Sequence, residues 1–316
     1  MAETLVVIPC LNEERTIEPL ARQLLRAGLT RIVIADGGST DATVSIVKRL
    51  ASENPAITYL HNPKRLQSAA VNLAAAIYGK ECEYLIRLDA HADYPDDYCA
   101  RLLAEAEATG AASIVVAMET KGITPFQRAV AAAQNSLLGN GGSAHRAGVS
   151  QGRYVDHGHH ALMRLSAFSE TGGYDEAFSH NEDAELDTRL RKAGHKIWLT
   201  AGTKLTYYPR SSPLKLFRQY LNYGCGRIHN IYKHHTPPKP RQMAPALVLP
   251  AILLALFTPL ALPFMLWAAI CLGYGAWLGV KAKDKWVLLS GPAAMLMHAG
   301  WSLGFWLGVW DIGMKR

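Results

Sequence analysis

Thr4-Leu5-Val6-Val7-Ile8-Pro9-Cys10-Leu11-Asn12-Glu13-Glu14 is an apolar run rich in β-branched residues, stopped by a proline and followed at once by polar residues. Such a run reads as a buried strand, with Asn12–Thr16 supplying helix-starting residues and Ile17–Ala27 carrying apolar residues at helical spacing. The pattern repeats. Arg31–Ala35 is a second strand, ending at Asp36-Gly37-Gly38-Ser39-Thr40-Asp41, and a helix over Ala42–Ser52 follows with Asp41 as its expected N-cap. Ile57–Leu60, Gln67–Tyr78 and Tyr84–Leu88 continue as strand, helix and strand. Strands alternating with helices predict a parallel, doubly wound α/β sheet. Ligands of such sheets bind beyond the carboxyl ends of the strands, where Asn12, Asp36 and Asp89 all fall.

Farther on, Ser113–Met118 reads as another strand and Pro125–Leu138 as a helix. Gly139–Arg153, rich in glycine and polar residues, has the composition of a mobile loop. Gly172-Gly173-Tyr174 and His180–Asp183 form loops, and the helix after them is closed by Gly194. Leu214–Tyr223 mixes aromatic, leucine and basic residues like a helix lying on a membrane surface. His234–Arg241, with three prolines, reads as a stiff linker.

The charge is unevenly distributed along the 316 residues: Gln242–Val280 and Trp286–Trp310 hold no Asp, Glu, Lys or Arg. Each run is long enough to cross a bilayer, which takes roughly 20 apolar residues as helix. Pro259 and Pro263 permit a hairpin in the first, and about three helices are expected in all. The net charge of +7 gathers in part at Arg210–Arg241 and Lys281–Lys285, beside those runs. There it fits the positive-inside rule and anionic lipid, and no nucleic-acid motif accompanies it. The N-terminus reads as strand rather than signal peptide, so the soluble part is expected on the cytoplasmic side. Five scattered cysteines read as reduced thiols.

Asp89-Ala90-His91 follows a strand directly, so both side chains can reach one divalent cation on a diphosphate; the alternative is a solvated turn capped by Asp89. A nitrogen from His91 suits Mn²⁺ better than Mg²⁺. Asp36 can accept from a uracil N–H or a ribose hydroxyl, or cap its own turn. Lys64 and Arg65 read as phosphate contacts or as surface charges. Asp183 in Asn181-Glu182-Asp183 reads as a base for an acceptor hydroxyl or, from spacing alone, as a helix cap. Asp156-His157-Gly158-His159-His160 offers histidines for acceptor contact or for support of the cation.

In their order along the chain, Val6–Glu14, Asp36–Asp41, Asp89-x-His91 and Glu182-Asp183 resemble the family 2 glycosyltransferases over roughly Leu5 to Arg227. The resemblance implies a GT-A fold, in which a Rossmann-like nucleotide-binding sheet joins an acceptor-binding half. It implies donor-nucleotide contacts by Pro9, Asn12, Glu13, Asp36, Arg65 and Asp89, a divalent cation (Mn²⁺ or Mg²⁺) on Asp89 and His91, and catalysis by Asp183 beside Glu182. Arg227 is expected to hold the diphosphate. Leu88–Ala92, Gly141-Gly142-Ser143, Gly172–Glu176 and Tyr220–Arg227 look most like bacterial exopolysaccharide enzymes of the succinoglycan β-1,3-glucosyltransferase type. Those transfer glucose from UDP-glucose to a polyprenyl-diphosphate-linked saccharide at the inner membrane.

The family's usual metal motif is D-x-D, and position 91 is His, so Asp93 is a second candidate ligand. The Q-x-x-R-W signature of processive synthases is absent. The expected organisation is a GT-A domain over 1–230, a linker over 231–243 and a membrane domain over 244–316. The expected reaction is a single displacement with inversion. Its rivals are transfer to a bare polyprenyl phosphate and a silent nucleotide-binding membrane adaptor.

Overall fold

The computed structural model describes residues 3–142, 149–238 and 240–314. The first elements are β1 (Thr4–Cys10), α1 (Ile17–Arg26), β2 (Ile32–Asp36), α2 (Thr43–Glu53), β3 (Ile57–His61), α3 (Gln67–Tyr78), β4 (Tyr84–Arg87) and β5 (Ala92–Asp93). Then come α4 (Tyr98–Thr109), β6 (Ser113–Thr120), α5 (Pro125–Gln134), α6 (Leu137–Asn140), β7 (Arg153–Tyr154), β8 (His159–Arg164), α7 (Leu165–Glu170), α8 (Glu182–Lys192) and β9 (Ile197–Tyr207). The remainder is helical: α9 (Pro213–His234), α10 (Pro240–Ala246), α11 (Val248–Phe257), α12 (Leu262–Ala282), a 3₁₀ turn at Val287–Leu289, and α13 (Ser290–Met314). The chain forms two compact units, Met1–Met118 with Gly148–Thr206, and Glu119–Ala147 with Tyr207–Arg316.

The first unit is built on one mixed sheet, in the order β3-β2-β1-β4-β8-β6-β9-β5, with β7 on β9. Leu5–Ile8 are fully buried, as expected of a strand covered on both faces. β1 runs parallel to β2 and β4, with Cys10 opposite Asp36 and Val7 opposite Arg87. The loops after β1, β2 and β4 therefore leave from one edge. β8 departs from the all-parallel expectation. It lies antiparallel between β4 and β6, with Leu162 opposite both Ile86 and Ile114, so its first residues, His159 and His160, arrive at that same edge.

In the second unit, α13 packs along α9 through small residues. A Cβ at Gly224 would strike the Trp301 carbonyl, and one at Gly304 the Leu221 carbonyl. Gly300 and Gly308, four residues either side of Gly304, likewise face Phe217 and Ile228. This small-residue spacing lets two backbones approach closely. Ser302 Oγ and Trp306 Nε1 both donate to the Ala246 carbonyl (2.9 and 2.8 Å), fastening the end of α10 to α13.

Several boundaries differ from the sequence expectations. Ala42, not Asp41, is the N-cap of α2; Asp41 instead accepts from Thr43 N–H at 3.0 Å. The helix expected over Pro125–Leu138 breaks after Gln134, with Asn135 turned to the β6 end, donating to the Thr120 carbonyl at 2.8 Å. The surface helix expected to stop at Tyr223 runs on to His234, because Gly224 serves close packing rather than termination. Helix covers both ends of the expected linker, leaving a short non-helical passage after His235, and Lys239 lies outside the described residues. The Pro259 region breaks the first apolar run, with α11 ending at Phe257 and Pro263 in the first turn of α12. Among the described residues α12 is long and apolar enough to cross a membrane, and Leu262, Met265, Leu266, Ile270, Trp277 and Val280 on it are exposed. Lys315 and Arg316 lie outside the described residues.

Gly304→Ala is expected to destabilise the second unit by about 1–3 kcal/mol through overpacking. Gly273→Ala, with nothing near its Cβ, should be neutral or mildly stabilising. Thermal melts of the two variants side by side check this.

Candidate functional site

The loops at the strand ends are laced together. Asn12 adopts a left-handed backbone (φ 58°). Its N–H donates to Ser39 Oγ (2.8 Å) and its side-chain oxygen accepts from Thr40 N–H (2.8 Å). Glu13 N–H reaches Thr43 Oγ1 (2.8 Å), and Glu14 accepts from Ala42 N–H (3.0 Å). Asp36 is buried, and its carboxylate accepts from the N–H groups of Gly38 (2.8 Å) and Ser39 (3.1 Å) and from the Ser39 hydroxyl. Asn12 and Asp36 thus shape the turn with the atoms expected to touch a nucleotide. Pro9 lies on β1 opposite Ala35. Arg65, also left-handed at φ 57°, lays its guanidinium over this turn, so that a Cβ on Gly38 would lie 3.4 Å from its Nη2.

Asp89 follows β4. Its N–H donates to the Tyr94 hydroxyl (2.7 Å), Gln67 donates to Oδ1 (2.7 Å), and Oδ2 lies 3.5 Å from His159 Nε2. Burial would raise its pKa, but His159, Arg87 and His91 outweigh that and lower it, so the carboxylate is ionised. His91 turns its Nδ1 to Glu13 Oε1 at 3.0 Å, tying the loop after β4 to the loop after β1. Asp93 sits on β5, next to β9 at the end of the sheet. No group of three metal-ligating side chains converges among the described residues. Asp89 and His91 carry a carboxylate and an imidazole on one loop, donor types that divalent cations take.

The carboxylates at the start of α8 meet the same edge. Asn181 is the N-cap and makes no side-chain capping bond, while the Asp183 carboxylate accepts from Arg87 and from the His160 N–H. Arg87, 3% exposed, grips Asp183 with both terminal nitrogens, Nη1 to Oδ1 at 2.7 Å and Nη2 to Oδ2 at 3.3 Å. The side chain of Asp183 is 18% exposed. His159 Nδ1 stands 3.7 Å from its Oδ2, so one imidazole lies between Asp89 and Asp183. Burial would raise the Asp183 pKa, yet the Arg87 guanidinium beside it holds it far below the usual carboxylate range. Glu182 goes the other way: burial and the neighbouring Asp183 charge push its carboxyl up to about 7. An ionised carboxylate beside one poised near neutrality is an arrangement that can take a proton from a hydroxyl.

A family model described as glycosyl transferase family 2 matches residues 5–172. The chain belongs to this family. It is 55% identical over 316 residues, 98% of this chain and 95% of the relative, to the succinoglycan biosynthesis protein ExoA of Rhizobium meliloti (strain 1021). A more distant relative in Methanococcus voltae is a dolichyl N-acetyl-α-D-glucosaminyl phosphate 3-β-D-2,3-diacetamido-2,3-dideoxy-β-D-glucuronosyltransferase. It is 23% identical over 70% of this chain and 72% of its own length. Among solved structures, a mannosyltransferase from Pyrobaculum calidifontis, determined with GDP-Man and Mn²⁺, superposes with a TM-score of 0.65 at 16% identity. The match covers 98% of this chain and 88% of that one. The fold is GT-A, and the chain is a glycosyltransferase.

In this family 2 enzyme the first unit brings together Pro9, Asn12, Glu13, Asp36, Arg65, Asp89, His91, Glu182 and Asp183. Arg227 lies on α9, in the second unit. Ser143, and with it the centre of the expected Gly139–Arg153 loop, lies outside the described residues. Sequence reasoning gave no role to Arg87, Gln67, Tyr94, Tyr174 or Asp187, and named His159 only as one of a cluster. For Arg87 the signal was a charged residue inside an apolar strand, since a buried arginine needs a carboxylate.

The raised pKa of Glu182 has a consequence for stability. Below 4.5 the carboxyl is protonated folded or unfolded; above that, ionisation favours the unfolded chain, and the stability is lost as pH rises to about 7. Glu182→Gln removes this loss. Its Tm should exceed the wild-type value by a few degrees above about pH 7 and converge with it near 4.5, as read by thermal melts across pH.

Proposed function

We propose that this chain is a membrane-associated, inverting glycosyltransferase of bacterial exopolysaccharide synthesis. In this reading it transfers a hexose, glucose from UDP-glucose in the first instance, in β-1,3 linkage to a polyprenyl-diphosphate-linked saccharide at the cytoplasmic face of the inner membrane. The observation that carries the reading is the ionised, partly exposed Asp183 set across His159 from Asp89.

The loop pair around Asn12 and Ser39, with Pro9, Glu13, Asp36 and Arg65, forms the proposed nucleotide cradle, and Arg65 supplies positive charge toward phosphate. Asp89 and His91 would hold a divalent cation, which when bound offsets the charge of the leaving diphosphate. Asp183 is the proposed base. Arg87 holds it ionised and in place at neutral pH, at a cost in basicity, and it accepts the acceptor's hydroxyl proton as the oxygen attacks the anomeric carbon from the face opposite the diphosphate. Glu182, with its carboxyl pushed up to about 7, is the proposed partner in that proton transfer. Arg227 is a further proposed diphosphate contact. The name of the Rhizobium relative supports exopolysaccharide synthesis. That of the Methanococcus relative specifies a lipid-phosphate-linked sugar, which favours such an acceptor over a bare lipid phosphate. The exposed apolar face of α12 supports the membrane.

UDP release from a panel of UDP-sugars, in membranes supplying lipid-linked acceptors, tests the reading. One donor should be consumed with Mn²⁺ and not with EDTA. Asp183→Asn should lower turnover on the order of 10²–10⁴-fold while UDP affinity changes little. Wild-type-like transfer by that variant removes Asp183 from the base role, and UDP binding without release from any donor favours the adaptor alternative.

A further inference from the structure

Behind the Arg87–Asp183 fork lies a closed set of buried polar side chains. His160, fully buried on β8, places Nε2 2.7 Å from Asp187 Oδ1 and Nδ1 2.7 Å from the Tyr174 hydroxyl. That hydroxyl accepts from Arg87 Nη1 at 3.1 Å. Asp187, also fully buried, stands one turn after Asp183 on α8, and its Oδ2 accepts from Gly158 N–H at 3.1 Å. Tyr174 is fixed independently, since Asn72 bonds both its N–H and its carbonyl at 2.8 Å. The ring of Tyr174 lies under the guanidinium, 5.8 Å from Cζ to centroid. In the chain Asp187–His160–Tyr174–Arg87–Asp183 the most exposed member is Asp183, and His160 also reaches it directly, its N–H donating to Oδ2 at 3.4 Å and its Nδ1 lying 3.5 Å from Oδ1.

The donors and acceptors along this chain have one consistent direction. With the imidazole neutral, Asp187 accepts from Nε2–H and Nδ1 is the acceptor, a tautomer assigned from the network. The Tyr174 hydroxyl then donates to Nδ1, and its oxygen is free to accept from Arg87. Apolar residues of similar volume would fill this space at less desolvation cost. The polar chain is thus explained by what it does at its open end.

We propose that Asp187 and His160 are positioning residues: through Tyr174 they aim Arg87, and through the His160 N–H they hold Asp183 Oδ2, so that together they fix the orientation of Asp183. This rests on the assignment of Asp183 to the acceptor side of the transfer. Asp187→Asn is the informative variant, because it is isosteric. Its side-chain oxygen is claimed by Gly158 N–H, so its amide donates to Nε2 and reverses the imidazole tautomer. Nδ1–H then points at the Tyr174 hydroxyl, whose own proton is driven toward Arg87. Tyr174→Phe breaks the same chain one step later without touching Asp187.

In the full-length enzyme, ¹⁵N shifts of the His160 ring read the tautomer irrespective of turnover. They should show Nε2–H in the wild type and Nδ1–H in Asp187→Asn. Each variant should lose kcat on the order of 10²-fold with donor KM and Tm little changed. The double variant should be no slower than the worse single one, since both cut the same chain. An unchanged tautomer, an undiminished kcat, additive losses or losses that follow the folded fraction would each overturn the proposal. Silence of the wild-type enzyme on every donor would count against the transferase reading instead, and the ring shifts would still decide the relay.

Discussion

The two-pronged grip of buried Arg87 on Asp183 is the constraint around which the rest of the site is arranged. A guanidinium with 3% exposure carries a desolvation cost of several kcal/mol, so it stays buried only where carboxylate and hydroxyl oxygens meet it. β4 delivers Arg87 at the carboxyl edge of the sheet, and α8 must bring its first turn to that point. The antiparallel β8 then fills the space between with His159 on the site and His160 behind it. The same charge explains the opposite behaviour of two adjacent carboxyls: Asp183 is held ionised by Arg87, and its charge helps to push Glu182 up.

On the other side of the site, hydrogen bonds between neighbouring loops replace ionic anchoring. Asn12, Ser39, Thr40 and Thr43 join the turns after β1 and β2, while Glu13 and His91 join the turns after β1 and β4. A nucleotide would meet a surface already braced before it arrives, which lowers the entropy lost on binding. The histidine that stands where the family motif has a second aspartate therefore has a visible task in the protein itself, as a bridge to Glu13.

The succession from β1 to β4 was legible because each strand is a short apolar run between polar turns, and α3 falls on its expected residues, Gln67–Tyr78. β8 was not legible, since it begins with two histidines that read as a polar loop. The continuation of α9 was hidden by Gly224, which resembles a helix stop until its contact with Trp301 is seen. In the site, Asp36, Asp89 and Asp183 were visible as carboxylates after strands or before a helix, but the spacing of Asn181–Asp183 favoured a cap. Only the Arg87 contact, across 96 positions of sequence, shows what Asp183 is held by. Local pattern carries no information about such a pair. The His160–Asp187 and Arg87–Tyr174 bonds were hidden for the same reason.

The most direct test of this account is the transfer rate of Arg87→Lys. Lysine keeps the charge but cannot form the two-pronged grip on Asp183 or bond Tyr174 at the same time. The account predicts a loss on the order of 10²-fold in kcat, with the enzyme folded and UDP affinity retained. A rate close to the wild-type value would contradict it, because Asp183 would then need only a nearby positive charge and not the geometry that the buried fork imposes.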